Sequence, residues 1–303
     1  MSGTIQQKPL TANKINLSLC TGCELCITIC PAAIPAKNEK KEILFQTDKV
    51  EICLRCGHCM AMCETAAISI EGLSYETNFR PLPQAEWNNK AFMDFLLARR
   101  SVRIFKDKQV PAEELQKIID ALSMAPFGVN PDNVEITVVN DKKVIEKAFP
   151  YMSRMYIQLA KILKVPFLGW LILRSMPKEV SNTLVNFIIP HVNKGLYDSS
   201  TGNDDITRNA PVLILFHAKK GAEEHTADAH ICLTYSLLAA HSLGLGATVI
   251  GLISPAINQS KPLRRLFRIP EGNEVVESMI AGYPKFPFKR AIVRPRTKVT
   301  FIS

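Results

Sequence analysis

The sequence predicts an α+β protein of two domains, a small one over residues 1–80 and a larger one over residues 84–303. Three observations support this prediction. Eight of the nine cysteines lie between Cys20 and Cys63. The stretch Pro81-Leu82-Pro83 then breaks the pattern, as closely spaced prolines do at boundaries between elements. Beyond it, helical and strand-like hydrophobic patterns are mixed down to the end of the chain.

The cysteines form two copies of one motif, C-x2-C-x2-C-x3-C, 33 residues apart. This run holds iron–sulfur clusters in bacterial ferredoxins, where three thiolates of a run bind one cluster and the fourth binds the other. The crossed pattern predicts that the first [4Fe–4S] cluster is held by Cys20, Cys23, Cys26 and Cys63. It predicts that the second is held by Cys53, Cys56, Cys59 and Cys30.

Other uses of closely spaced cysteines fit this stretch less well. Disulfides need an oxidising compartment, and the polar segment 1–10 lacks the apolar core of a secretory signal. Zinc sites use separated cysteine pairs with a long spacer. Residues 12–72 resemble the two-cluster ferredoxin domain, with one departure. Glu64 stands where the first run has Pro31, and this exchange removes no ligand.

Local patterns predict the elements of both domains. In the small domain, the alternation of Ile15, Leu17 and Leu19 predicts a strand, and each cysteine run is expected to form a loop entering a short helix. Further strands are predicted at 43–46, 67–70, 134–139, 211–216 and 275–281. Helices are predicted at 84–100, 111–124, across most of 142–196, 227–243 and 262–267.

Charge is distributed unevenly along the chain. The formal net charge is +9, from 37 Lys and Arg against 28 Asp and Glu. Residues 1–80 are balanced, so residues 81–303 carry the whole excess. A basic body suits phosphate-bearing cofactors and an acidic docking partner. No basic helix with interleaved aromatic residues is present, so we expect no nucleic-acid partner.

A cluster of basic residues opens the larger domain. Arg99-Arg100-Ser101-Val102-Arg103 places three guanidinium groups and a hydroxyl within five residues. Guanidinium groups bind phosphate through paired hydrogen bonds, which makes the run a candidate phosphate site. Taken alone, such a run is more often a solvated helix end.

The order of motifs after this run is more specific. A helix follows, then Ala125-Pro126-Phe127-Gly128-Val129-Asn130, then a strand. Farther on, a helix ends in Leu243-Gly244-Leu245-Gly246, and Gly282-Tyr283-Pro284 precedes a basic tail. Residues 88–303 thereby resemble the FMN-dependent nitroreductase family, and the resemblance implies an α+β sandwich fold and a homodimer with FMN at the subunit interface.

The resemblance also implies the residues that bind FMN. Arg99 and Ser101 are expected at the phosphate, together with Arg290, Arg294 or Arg296, of which Arg294 is favoured. A cation near flavin N1 and O2, which stabilises the reduced ring, is expected to be Arg103. Contacts to the ring and ribityl chain are expected from Phe127, Gly128, Asn130, Gly246, Ile250 and Gly251.

The loop at 127–134 departs from the family pattern. Phe127 replaces a frequent Ser, and Asp132-Asn133-Val134 replaces Gln-Pro-Trp. An ionised Asp132 cannot donate a hydrogen bond as Gln does, so we expect a different substrate preference. The glycines at 244–251 follow a helix and do not have Rossmann spacing, and no Walker A motif is present. Cys232 is interpreted as a small buried apolar residue.

The sequence therefore predicts an FMN- and iron–sulfur-dependent oxidoreductase that passes electrons to a small acceptor such as a nitroaromatic, a quinone or an activated alkene. The electron donor is expected to be a ferredoxin- or flavodoxin-type protein or NAD(P)H. Two alternatives stay open: a carrier or sensor that exchanges electrons only with proteins, and reversed flow from NAD(P)H through FMN to the clusters. No side chain is expected to act as a general base.

We expect a cytoplasmic protein without a membrane span, since the longest apolar run, Val165 to Leu173, has nine residues. This run is expected to form a lid or a dimer contact over the flavin. An interfacial helix on a membrane surface, flanked by Lys161, Lys164 and Arg174, is the alternative.

Overall fold

Two units make up the chain, Met1–Trp87 and Asn88–Ser303. The structure is a computed structural model that describes residues 13–83, 88–128, 130–202, 204–293 and 298–302. The two units are described separately.

The first unit is built from two antiparallel strand pairs and short helices. Its strands are β1 (Lys14–Ile15), β2 (Pro35–Lys37), β3 (Ile43–Phe45) and β4 (Ile68–Ser69). Its helices are α1 (Leu25–Ile29), α2 (His58–Ala61) and α3 (Tyr75–Asn78), with a 3-10 turn at Val50–Ile52. Strand β1 pairs with β4 and β2 pairs with β3. Between them lies a small core of isoleucines, Met60 and Cys26.

The predicted strand over residues 15–19 is wrong beyond Ile15. Asn16 starts a turn instead, because its side-chain Oδ1 accepts the amide of Ser18 at 3.1 Å and its carbonyl accepts the amides of Leu19 and Cys20 at 3.1 and 3.0 Å. Asparagine favours such turns by bonding the backbone two residues on. The alternation of leucines is therefore not a strand face, and Leu17 is 43% exposed.

The second unit has a four-stranded antiparallel sheet with helices on both faces. Its strands are β5 (Glu135–Val139), β6 (Val212–Lys219), β7 (Gly246–Val249) and β8 (Asn273–Gly282), in the order β5-β6-β8-β7. Its helices are α4 (Asn89–Ala98), α5 (Ala112–Leu122), α6 (Lys142–Leu163), α7 (Pro166–Ser175), α8 (Lys178–Thr183), α9 (Ile189–Asn193), α10 (His225–Ser242), α11 (Ile253–Gln259) and α12 (Lys261–Leu266). Short turns of other helix types lie at Pro131–Asn133, Leu184–Ile188 and Ser199–Thr201.

Strand β6 joins the two core layers. Its side chains alternate between faces: Leu213 and Leu215 belong to the cluster under α6 and α11, and Ile214 and Phe216 belong to the cluster under α5 and α10. All are fully buried. The prediction that the continuous apolar run at 211–216 forms a buried strand is confirmed, and α10 packs against one face of the sheet.

Candidate functional site: two cysteine cavities and a basic cavity

Two cavities in the first unit gather the eight cysteines. Three members of the first run line one cavity together with the last cysteine of the second run: Cys20, Cys23, Cys26 and Cys63. The other cavity is lined by the complementary set of Cys30, Cys53, Cys56 and Cys59. Cys59 also reaches the first cavity. The structure thus brings the cysteines together in the crossed arrangement that their spacing predicts.

The backbone of each run turns so that its thiols face inward. Helix α1 begins after Glu24 and helix α2 after Gly57, and both residues adopt left-handed φ angles, of 63° and 72°. The fourth cysteines accept backbone N–H groups in matching positions. Ile34 N donates to Cys30 Sγ at 3.5 Å, and Ala67 N donates to Cys63 Sγ at 3.3 Å. Such N–H···S bonds tune the potential of a cluster that the sulfur ligates.

Burial disfavours the thiolate form of several of these cysteines. It raises the pKa of Cys59 to about 12, and it also raises the pKa of Cys26 and of Cys53. Iron binds thiolates, so loading must release protons from these groups. In the described part of the chain, no three His, Cys, Asp or Glu side chains converge on the position of a single metal ion. The thiols around each cavity are soft donors, which suit iron–sulfur clusters. A cluster of several atoms holds its thiol ligands farther apart than a single metal ion does.

A cavity lined by basic residues lies beside the end of α10 in the second unit. Arg99, Arg100 and His241 line it, and no carboxylate of the described residues does. In the same part of the chain, buried Arg100 Nε has no hydrogen-bond partner, although its Nη2 donates to the carbonyls of Leu97 and Ile292 at 2.8 and 3.2 Å. An unpaired buried donor among positive charges is suited to an anion such as a phosphate.

The predicted FMN contacts include neither Arg100 nor His241, although Arg100 belongs to the candidate phosphate run at 99–103. His241 lies on the last turn of α10, where burial and the charge of Arg99 lower its pKa. Its position next to the arginines depends on packing between α4 and α10, since the ring of Phe95 stacks on it at a centroid distance of 4.8 Å.

Close backbone packing holds the arginine segment against the sheet. Ser101 forms a parallel bridge with Ala247, and Val102 N donates to the Ala247 carbonyl at 3.2 Å. This approach requires Gly246, because an added Cβ there would lie 2.5 Å from Val102 Cβ. Gly246, predicted to contact the flavin, thus has a packing role in β7.

Arg103 lies apart from Arg99. It lines a different cavity, together with Asp204, Asp205 and Arg208 among others. Arg103 is exposed, and Arg208 Nε in the same cavity is buried and has no hydrogen-bond partner among the described residues. Residues of the run at 99–103 therefore line two separate cavities. Their spacing in the sequence does not indicate this separation.

The loop with Phe127, Gly128 and Asn130 lies at the opposite end of α10 from the arginines. Gly128 N donates to Asp228 Oδ1 at 2.9 Å, and a Cβ on Gly128 would lie 2.9 Å from Glu224. Asp228 and His241 are separated by thirteen residues of one helix, or about 20 Å at 1.5 Å per residue. A single chain therefore does not bring this loop and the basic cavity together.

The remaining predicted residues follow β7 in the sequence, two of them directly and the arginines near the end of the chain. Ile250 N already donates to the Ser278 carbonyl at 3.0 Å, so it is not free for a ligand. Gly251 is exposed, and a Cβ there would meet nothing within 4 Å. Tyr156 fixes the next residue through its hydroxyl, which donates to the Leu252 carbonyl at 2.6 Å. Arg290 is exposed, and Arg294 and Arg296 lie outside the described residues.

Within the described ranges, no single helix combines the length and apolar composition needed to cross a bilayer. Helices α6 and α7, which meet at a bend of 111°, satisfy that test of length and composition only as a pair.

Comparisons with known proteins cover both units. Residues 96–283 match the Nitroreductase family, and residues 12–64 match the 4Fe-4S dicluster domain. A Methanothermobacter thermautotrophicus protein, named as a candidate NADH dehydrogenase/NAD(P)H nitroreductase, is 26% identical over 196 residues, which are 63% of this chain and 76% of that protein. NAD(P)H-quinone oxidoreductase subunit I of Gloeobacter violaceus is 28% identical over 123 residues, covering 38% of this chain and 53% of its own.

Solved structures agree with the fold of the second unit. A nitroreductase with bound FMN from Bacteroides fragilis aligns with 72% of this chain and 100% of its own at a TM-score of 0.51 and 19% identity. A nitroreductase with bound FMN from Desulfitobacterium hafniense gives the same coverage and TM-score at 20% identity. The predicted fusion and fold class are confirmed: the chain is an enzyme of the nitroreductase family that carries a 4Fe-4S dicluster domain before its nitroreductase domain.

Proposed function

We propose that the chain is an oxidoreductase that holds two [4Fe–4S] clusters in residues 1–80 and FMN in residues 84–303, and that reduces a small acceptor such as a nitroaromatic, a quinone or an activated alkene. When bound, the clusters supply one-electron transfer and the flavin supplies exchange between one- and two-electron chemistry. The observation that carries the proposal is that each cavity gathers three thiols of one run and the last thiol of the other, with Cys59 lining both cavities.

The basic cavity supports an FMN phosphate in the second unit. Arg99 and Arg100 offer charged donors there, and Arg100 Nε has no hydrogen-bond partner among the residues that the structure describes. FMN has a terminal phosphate dianion, which guanidinium groups bind strongly. The chain's part is to bind and orient the cofactor, and no side chain is assigned a proton-transfer role.

The separation of the two predicted FMN-binding groups supports a homodimer. Arg99 lies near one end of α10 and the Gly128 loop near the other. A second copy, related by a two-fold axis, can bring its own loop to the arginines of the first. The B. fragilis and D. hafniense proteins bind FMN, which favours the same cofactor here.

An anaerobic reductive titration with a panel of acceptors tests the proposal. The purified protein should contain about eight irons and eight acid-labile sulfides per chain, as two clusters require, and should release FMN on denaturation. Reduction of a quinone, a nitroaromatic or an enone by the reduced protein would support the proposed activity. Stoichiometric zinc without labile sulfide, or the absence of flavin, would refute it.

A further inference from the structure

A short apolar helix is exposed on the second unit. Helix α7 reads Pro-Phe-Leu-Gly-Trp-Leu-Ile-Leu-Arg-Ser. Phe167 is 75% exposed and Trp170 is 53% exposed, and Leu168 and Leu171 are exposed beside them. Large apolar side chains that are exposed together, rather than singly, mark a surface that binds a partner.

The chain fixes which side of α7 faces outward. The helix turns away from α6 by 111°, and the elbow depends on Gly169, since a Cβ there would lie 2.3 Å from the Leu163 carbonyl oxygen. Gly169 is buried, and Leu173, one turn later, packs on the core under the sheet. Phe167 therefore faces away from the unit, and Trp170, one residue after Gly169, is exposed on the flank of the helix.

Basic residues outnumber acidic ones around this helix, and the nearest acidic residue after it in the sequence is Glu179. Residues 161–178 contain four basic residues and no acidic residue: Lys161, Lys164, Arg174 and Lys178. All four are exposed. The Arg174 guanidinium lies 5.2 Å from the centre of the Trp170 ring, so positive charge and aromatic surface occur on the same patch.

We propose that α7 docks the protein onto the surface of a bilayer that contains anionic phospholipid. Helices that lie in the membrane interface combine tryptophan, phenylalanine and leucine on one face with flanking lysine and arginine. Each basic residue near an anionic leaflet adds attraction. Ten helical residues extend about 15 Å, half of the roughly 30 Å hydrocarbon thickness, so the helix lies on the surface.

The charge of this surface favours an anionic bilayer over a second copy of the chain as the partner of α7. A two-fold axis that ran through this patch would bring two sets of four basic residues together. An anionic lipid surface complements the same charges.

Vesicle binding by the full-length protein tests this proposal. We expect co-sedimentation with vesicles of phosphatidylglycerol and phosphatidylcholine, and little with phosphatidylcholine alone. Raising the salt from about 0.1 to about 1 M, which shortens the Debye length from about 10 to about 3 Å, should weaken binding. The chain has two tryptophans, so the expected blue shift of emission should disappear in Trp170→Phe while binding persists.

Variants at exposed positions separate the apolar and the charged contributions. Phe167→Ser with Trp170→Ser should lower partitioning by about tenfold or more, given the transfer free energy of two aromatic side chains. Lys161→Glu with Lys164→Glu should abolish the preference for anionic vesicles. The matched controls are Phe92→Ser, an exposed aromatic on α4, and Lys40→Glu with Lys41→Glu, two exposed lysines of the first unit. Both controls should bind as the wild type does.

Two results would overturn the proposal. One is failure of the wild-type protein, with its cofactor content verified, to bind anionic vesicles at low salt. The other is a fall in solution molar mass caused by Phe167→Ser with Trp170→Ser while vesicle binding is unchanged, which would assign the face to a contact between copies. Neither result bears on the reductase activity, which the titration with acceptors measures separately.

Discussion

At the scale of single residues, substitution of Arg99 tests whether the cavity lined by Arg99, Arg100 and His241 binds the FMN phosphate. Arg99→Ala should weaken FMN binding by about 1.5–3 kcal/mol, the scale for hydrogen bonds to charged groups. This equals a rise in Kd of about ten- to a hundredfold, measurable by quenching of flavin fluorescence at fixed salt. Arg265→Ala, at an exposed arginine on α12, should leave Kd unchanged. If both variants raised Kd equally, the effect on FMN binding would come from the overall charge of the protein and not from a contact with Arg99.

His217 offers a residue-scale prediction about pH. It is buried on β6, where Asn273 Nδ2 lies 2.9 Å from its Nδ1 and Thr137 Oγ1 lies 3.0 Å from its Nε2. Burial lowers its pKa below the ordinary 6.5, with Arg264 adding to the lowering and Glu135 opposing it. The folded protein therefore holds this imidazole neutral where the unfolded chain would protonate it.

The sign of the pH effect follows from proton uptake. Below pH 6.5 the unfolded chain binds a proton that the folded chain does not, so the free energy of unfolding falls as pH falls, until the lowered pKa is reached. The loss is at most about 1.4 kcal/mol per pH unit for one proton. Urea denaturation at several pH values should show a steeper loss below pH 6.5 in the wild type than in His217→Gln. Parallel curves for the two proteins would contradict this assignment.

At the scale of elements, the contact between the arginine segment and β7 depends on the absence of a side chain at Gly246. Gly246→Ala should destabilise the second unit by about 1–3 kcal/mol, the usual cost of overpacking, because its Cβ would meet Val102. Val102→Ala in the same chain should restore part of the loss. Gly251→Ala is the control for stability, since a Cβ there meets nothing within 4 Å. Equal losses in both glycine variants would exclude the contact as the cause.

The crossing of the cysteine runs gives a second element-scale prediction. Cys30 lines the cavity of the second run and Cys63 lines the cavity of the first. Cys30→Ser should therefore perturb the electron paramagnetic resonance signal of one reduced cluster and Cys63→Ser that of the other. The single variants Cys56→Ser and Cys23→Ser serve as references, because Cys56 lines only the second cavity and Cys23 only the first. If Cys30→Ser resembled Cys23→Ser, the crossed assignment would be wrong.

The elements also show what the sequence could and could not predict. The cysteine pattern predicted the small unit because ligand spacing is a local property. The run from Pro211 to Phe216 predicted a buried strand because both faces of β6 are covered. The alternation at residues 15–19 failed because the Asn16 side chain forms a turn. The separation of Arg99 from Arg103, and the contact of Arg99 with His241, depend on tertiary packing that no local pattern records.

At the scale of the whole molecule, the main result is that one chain does not complete the predicted flavin site. The arginine segment and the Gly128 loop are held at opposite ends of α10, the first by β7 and the second by Asp228. The first attachment is to a strand of the sheet and the second is to α10. In the proposed homodimer, two copies of the chain would complete two sites, each with arginines from one copy and a loop from the other.

Complementation between two inactive variants tests this arrangement directly. One variant is Arg99→Ala with Arg100→Ala, and the other carries Asn130→Ala with Phe127→Ala. Each alone should bind FMN weakly. In a mixed dimer with a shared site, one site collects all four substitutions and the other collects none, so about half of the wild-type FMN capacity should return at wild-type affinity.

Differently tagged chains, co-expressed and purified over both tags, give the mixed dimer for this measurement. A site formed within one chain would predict the opposite result, because both sites of the mixed dimer would then carry a defect. Recovery of tight binding to half of the sites therefore requires residues from two copies. Its absence, with the mixed dimer shown to be intact by molar mass, would mean that the Gly128 loop does not contact the flavin bound by Arg99 of the other copy.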